Sequence, residues 1–312
     1  MNDSEITVIS SDVAILRELA TRVAELAASP LNRERIRLWY QHDECQGERP
    51  LLLTETDGGL DMVIPDYRPR CQEPWAQAQE WALLQPIVHH EIIGDDWPIE
   101  PCVNVPWQIT LGDFGVIPHS TQPETDGTRG AYHIDAVLGD LEADFGRLHP
   151  RAFSVDRPAT LAQVALLSQV YDGILTVRLR GNPWWTLGVT NTAVTLIGME
   201  KLMLAMYDQP AALHRLLAFL CDDHLLLVDW LEREGLLTLN NENDYIGSGS
   251  RGYTRALPHR RDKLSAEFST PWATPQPVRT PRQVEDSGVP NSFGAFSGQF
   301  LMPRAAPRCI RT

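Results

Sequence analysis

One stretch of this chain constrains it more than any other: an apolar run that gives way abruptly to a dense set of polar side chains. Gly235-Leu-Leu-Thr-Leu239 is too short for a helix, begins with a glycine and reads as a short buried strand. Asn240, Asn241, Glu242, Asn243, Asp244 and Tyr245 follow without a break. In a parallel α/β fold, ligands bind at the carboxyl ends of strands, where a rigid scaffold meets a loop free to carry function. Glu242 and Asp244 are therefore the candidate catalytic groups, with Asn241, Asn243 and Tyr245 as substrate contacts. The glycines of Gly247-Ser-Gly-Ser-Arg-Gly252 would let the backbone fold back over such a site. A polar surface loop with turn-forming Asn and Asp has the same composition.

A second strand points to the same place. Ile174-Leu-Thr-Val-Arg-Leu-Arg180 alternates so that Arg178 and Arg180 share one face, and it runs directly into Gly181-Asn-Pro-Trp-Trp-Thr186. Two arginines near a strand end suit a carboxylate or phosphate ligand, with Trp184 and Trp185 as an apolar wall. An exposed edge, or internal salt bridges with the chain's many acids, would use the same residues. Between the two strands, Asn191 to Tyr207 and Pro210 to Glu234 read as consecutive helices. Residues 173–241 thus form a strand, two helices and a strand, a right-handed crossover that brings Arg178 and Glu242 to one end of a parallel sheet.

The rest of the chain supplies the scaffold. Ser11 or Asp12 caps an amphipathic helix carrying Val13, Leu16, Leu19, Val23 and Leu26, and Asn32 caps a second, basic one. Pro50 to Thr54 reads as a strand, and Asp57-Gly58-Gly59 as a hairpin turn before Leu60 to Ile64. Pro74 opens a helix. The apolar run Ile87 to Ile93 follows, then the acidic corner Gly94-Asp95-Asp96-Trp97, whose carboxylates could do acid–base work or simply make a turn. Short strands are expected within Val103 to Thr110, and helices over Asp135 to Leu148 and Pro158 to Tyr171. His224 lies on the apolar stripe of its helix and reads as a packed core residue.

Charge and cysteine usage narrow the class of partner. Forty-one acidic residues against 27 basic give a net charge of −14, which disfavours nucleic acid and anionic membranes and favours a small-molecule substrate. No apolar run approaches the ~20 residues that span a bilayer, and the acidic N-terminus is unlike a signal peptide, so a cytoplasmic protein is expected. Cys45, Cys71, Cys102, Cys221 and Cys309 are odd in number and widely spaced, which argues for free thiols. His89-His90-Glu91 looks like a ligand cluster, but on a strand its two imidazoles would face opposite ways. Neither a metal nor a cofactor is expected.

The ordered motifs Gly173…Arg178, Gly181-Asn-Pro183-Trp184, Gly198-Met-Glu-Lys-Leu202, Met206-Tyr-Asp-Gln-Pro210, His214-Arg-Leu-Leu217 and Glu234-Gly235 resemble the uroporphyrinogen decarboxylase superfamily over roughly residues 30 to 257. The resemblance implies an α/β fold of the (β/α)8 TIM-barrel type and cofactor-free decarboxylation of a small carboxylated substrate. The superfamily also includes corrinoid-linked methyltransferases, which use a metal-activated thiol and a corrinoid-protein partner. An inactive truncated remnant or binding protein is the remaining alternative; a homodimer or a corrinoid protein is the expected assembly partner. The family's Arg-Gln-Ala-Gly-Arg motif is replaced here by Thr54-Glu-Thr-Asp-Gly-Gly59, and the aromatic motif has one extra residue, Pro183-Trp184-Trp185-Thr186.

Two segments are expected: a partial barrel over 1–257 and a Pro/Arg-rich tail over 258–312. The tail carries 8 basic and 4 acidic residues, whereas the preceding 257 carry 19 and 37, so the sign of the charge reverses. With eight prolines and no amphipathic period it has the composition of a disordered segment, and a barrel truncated or frame-shifted near His259 would account for it.

Overall fold

The computed structural model describes residues 8–56, 59–121, 133–181, 188–247 and 249–256. Trp184, Trp185 and the tail over 258–312 lie outside the described residues. Among the described residues the fold is mixed α/β, with eight α-helices and short strands: α1 Ser10–Ala27, α2 Pro30–Asp43, α3 Pro74–Val88, β1 Cys102–Pro106, β2 Gln108–Leu111, β3 His119–Thr121, β4 His133–Asp135, α4 Leu141–Asp144, β5 Phe153–Asp156, α5 Arg157–Val170, β6 Thr176–Arg180, α6 Val189–Ile197, α7 Met199–Asp208, α8 Pro210–Arg233, β7 Tyr245–Gly247 and β8 Ser250–Arg251. β1 and β6 are parallel, with Asn104 opposite Arg178 and Pro106 opposite Arg180. The pairs β2–β5, β3–β4 and β7–β8 are antiparallel. None of these helices is long and apolar enough to cross a membrane.

The parallel pair divides two environments because side chains alternate along a strand. Val103, Val105, Val177 and Leu175 join a core with Leu16, Leu19, Ala20 and Val23 of α1, Leu83, Leu84 and Val88 of α3, and Leu167 and Val170 of α5. Cys102, Asn104, Arg178 and Arg180 occupy the other face. A second core gathers Phe114, Leu138, Leu196 and Ile197 around Leu216 and Leu220 of α8, both wholly buried. Burying each such leucine stabilises the fold by about 2 kcal/mol.

Several local expectations are corrected. Asp12 does not cap α1, whose N-cap is Ile9; it is buried and accepts the N–H groups of Gln72 and Glu73 at 3.0–3.1 Å, ahead of α3. Ser29, not Asn32, caps α2. No strand forms over 50–54, and Leu60–Met62 is a 3-10 turn, so neither arm of the expected hairpin is a strand; Asp57 and Gly58 of its turn lie outside the described residues. His89–Ile93 continues α3 as one wide π turn, closed by the Gly94 N–H on the His89 carbonyl at 2.9 Å; Gly94, at φ 73°, ends it. The helix expected over 135–148 shrinks to one turn, Leu141–Asp144, followed by a 3-10 turn. Gly198, at φ 80°, divides the helix expected over 191–207 into α6 and α7.

Leu236–Leu239 is not a ladder strand either. Thr238 gives its N–H to the Gly181 carbonyl at 3.1 Å, but its hydroxyl, not a backbone carbonyl, accepts the Gly181 N–H at 3.1 Å. At Gly181 a side chain has taken the place of the second ladder bond.

Candidate functional site

The polar face of β1 and β6 supplies one half of a charged cluster, and residues 240–244 supply the other. Asn32 sets the approach to β1: its buried amide accepts the Ile99 N–H at 2.8 Å and donates to the Ile99 carbonyl at 2.9 Å. Glu100 therefore enters the cluster from a fixed backbone. On the other side, Gly181 and Gly252 let three backbones approach closely. A Cβ on Gly181 would lie 1.4 Å from the Leu236 carbonyl oxygen, and one on Gly252 would lie 2.2 Å from that of Asn240. The segment 236–240 is thus held between two glycines, and the Gly252 N–H bonds to the Asp244 carbonyl at 2.9 Å.

Within the cluster each arginine is bound by the protein's own acids. Arg178 reaches Glu100 and Glu242 at 2.8 Å each and Asn104 at 3.0 Å. Arg180 meets Glu242 at 3.3 Å and forms a tight ion pair with Asp244, both side chains being buried. Of the two sequence readings for these arginines, internal pairing is the one seen. Asn241 is buried, and Asn243 donates to the Pro98 carbonyl at 2.9 Å while its own amide oxygen is buried without a partner among the described residues. Tyr245 begins the β7–β8 hairpin.

Burial pushes the Glu100 carboxyl up; Arg178 opposes the rise and the charge of Glu242 adds to it. Burial also works against the charge of Arg178, yet Glu100 and its other acidic neighbours keep its pKa raised. The Cys102 thiol is pushed up to about 12, first by burial and then by Glu100. Tyr253 is raised well above its ordinary value by burial, then by Glu100, Tyr40 and Glu242. Its ring meets that of Tyr40 edge-on at 5.4 Å.

Glu100, Cys102, Asn104 and Tyr253 were not singled out from sequence. The period-two pattern of Glu100-Pro-Cys-Val-Asn104 could have shown the first three, since it puts them on one face of β1. Asp95 and Asp96 are clamps: Asp95 accepts from His89 at 2.9 Å and the Thr54 N–H at 2.8 Å, and Asp96 pairs with Arg49 at 2.6 Å and the Leu52 N–H at 2.9 Å. His89 is buried and stacks on Trp97 at 4.0 Å; His90 contacts Arg35 at 2.9 Å. Among the described residues no group of three His, Cys, Asp or Glu side chains is placed to hold a metal ion. His224 is half-buried and bonds to the Leu220 carbonyl one turn back at 2.8 Å. A separate open groove of about 540 Å³, lined by Thr56, Gly59, Leu60, Trp81, Ala82 and Gln85, contains none of the cluster residues.

No protein-family model matches the chain, and neither does any curated protein or solved structure.

Proposed function

We propose that the chain is a barrel-type enzyme that decarboxylates a small carboxylated substrate without a cofactor, at the cluster of Glu100, Arg178, Arg180, Glu242 and Asp244. The observation that carries the reading is a half-buried carboxyl with a raised pKa, Glu100, fixed 2.8 Å from a guanidinium on the polar face of a parallel strand pair. Such a group can hold a proton and deliver it where water is partly displaced. In the reaction the bond between the substrate carbon and its carboxylate breaks and CO2 leaves. The electron pair stays on the substrate, delocalised into an adjoining carbonyl or heteroaromatic system, and the Glu100 proton is transferred to that carbon. Glu100 then regains a proton from solvent. Arg178 and Arg180 stabilise the negative charge that develops, and Glu242 and Asp244 hold the two guanidinium groups in place.

The test is CO2 release from a panel of β-keto and heteroaromatic carboxylic acids, run in D2O so that the product carbon takes up deuterium. Release by the parent chain and its loss in Glu100→Gln are expected. A folded parent that releases no CO2 from any of them, or a Glu100→Gln variant with the parent's rate, overturns the reading.

A further inference from the structure

We propose that Arg251 and Tyr253 form a carboxylate-binding subsite beside this cluster, and that the substrate is anchored there and not on Arg178 or Arg180. The inference rests on the small-carboxylate reading above, but its test is one of binding and can fail separately.

Arg178 and Arg180 are already occupied by Glu100, Glu242 and Asp244. Arg251 is different: the Nε of Arg180 and that of Arg251 are both buried without a partner, but among the described residues the Arg251 guanidinium has no carboxylate or other hydrogen-bonding group on it, whereas Arg180 holds Glu242 and Asp244. Its guanidinium lies over the Trp97 ring, 3.7 Å from the centroid, and 5.9 Å from the Tyr245 ring centre. His89 stacks on Trp97 at 4.0 Å, a spacing that leaves room for the guanidinium only on the opposite indole face. Stacking fixes the plane of the guanidinium without using its N–H groups. Those in-plane edges are the ones a planar carboxylate bridges with two parallel hydrogen bonds. Arg251 is also only half-buried, so its remaining N–H groups can meet a ligand.

Tyr253 gives the second, independent observation. It lies two residues beyond Arg251, and the two side chains are within electrostatic range of each other. It is 4% exposed, and its hydroxyl is buried with no acceptor among the described residues. Buried hydroxyls are rarely left without partners, and a ligand oxygen beside Arg251 would supply one. The hydroxyl is also within electrostatic range of Glu100 and Glu242, so the subsite and the proton donor are neighbours. The charge of Glu242 disfavours a dianion and selects a monocarboxylate over a phosphate.

Calorimetric titration of the full chain with the monocarboxylates acetate and benzoate and with inorganic phosphate tests the assignment. The parent is expected to bind at least one of the two carboxylates saturably and phosphate more weakly. Arg251→Gln should weaken binding at least tenfold and Arg251→Lys by less. Tyr253→Phe should weaken binding severalfold while raising the thermal midpoint, because it removes a hydroxyl left without a partner; a purely structural tyrosine would lower the midpoint and leave binding alone. The same midpoints show whether Arg251→Gln folds; if it does not, the Lys and Phe variants decide. Unchanged affinity in these variants, tighter phosphate binding, or no carboxylate binding by the parent overturns the subsite. Arg251-dependent binding without CO2 release would remove the decarboxylase reading and leave the subsite standing, whereas CO2 release indifferent to Arg251→Gln would do the reverse.

Discussion

Arg178 and Glu242, 64 residues apart in the chain, meet at 2.8 Å, and the same carboxylate reaches Arg180 at 3.3 Å. One side chain from the segment after α8 thereby joins both arginines of β6. The face of a strand pair and a loop become a single charged network of three carboxylates and two guanidinium groups. The geometry follows from alternation on β6, which spaces Arg178 and Arg180 two residues apart on one face.

The buried end of that network should dominate its energetics. Arg180 and Asp244 have side chains only 6% and 4% exposed, so removing one partner leaves a buried charge without compensation. Arg180→Gln is expected to cost about 3–5 kcal/mol in chemical denaturation. Replacing both, as Arg180→Met with Asp244→Leu, should recover most of that loss. If the double variant is no more stable than the single, the pair is not the source of the cost.

The two glycines that clasp residues 236–240 should tolerate no side chain. At both positions the neighbour is backbone, a carbonyl oxygen that cannot swing aside as a side-chain end would. Gly181→Ala and Gly252→Ala should each destabilise by roughly 2 kcal/mol or more. Gly146→Ala is the control, because nothing lies within 4 Å of a Cβ there. Equal unfolding midpoints for all three would contradict the close approach.

What the sequence shows of this arrangement is uneven, for physical reasons. Helices and strands with a strong period are legible: α5, α8 and β6 fall where their apolar spacing puts them. The shared face of Arg178 and Arg180 is legible too, since alternation is local. The partners of those arginines are not, because three acids among 41 cannot be chosen without knowing which backbone returns to β6. Asp12 and Asn32 show the same limit. Both look like helix caps from local pattern, yet each spends its polar atoms on a segment sixty or more residues away. Leu236–Leu239 looks like a strand, but Thr238 satisfies the Gly181 N–H with its hydroxyl in place of a backbone carbonyl, a competition that propensity does not reveal.

Stability should depend on pH from both sides. Asp96 is held below the ordinary carboxylate range chiefly by Arg49, against burial. Burial opposes ionisation of Asp95 and Glu80, but His89 and backbone N–H groups outweigh it in Asp95, and backbone N–H groups with the Tyr67 hydroxyl do so in Glu80. A depressed carboxylate stabilises the fold above its unfolded pKa, about 4, and loses that contribution as pH falls through its folded value. Glu100 has the opposite sign: its raised pKa favours folding at low pH, and the contribution is lost as pH rises through its folded value. The unfolding free energy should fall as pH drops below about 4. Asp96→Asn should flatten that acid limb, and Glu100→Gln should lessen the decline toward higher pH. Denaturation curves at a series of pH values check both; a limb of unchanged slope in either variant counts against its assignment.

Asn32 touches neither arginine, yet turnover should depend on it. The Asn32 amide is wholly buried and makes three bonds, to the Ala27 carbonyl at 2.9 Å and to the carbonyl and N–H of Ile99 at 2.9 and 2.8 Å. Ile99 directly precedes Glu100, so Asn32 fixes the backbone from which the proposed proton donor projects. Asn32→Ala would leave the Ile99 peptide groups buried without partners, at a cost of about 2–3 kcal/mol. Asn32→Asp keeps the acceptor for the Ile99 N–H but sets a wholly buried carboxylate against two carbonyl oxygens, and should destabilise at least as much as alanine. In turnover, a donor displaced by about 1 Å can lose on the order of a hundredfold in rate. The expected signature is therefore a fall in kcat with little change in KM, since the carboxylate anchor at Arg251 is untouched. Equal kcat values for parent and Asn32→Ala, measured where both are fully folded, would show that Glu100 does not depend on this clamp or does not take part in the reaction.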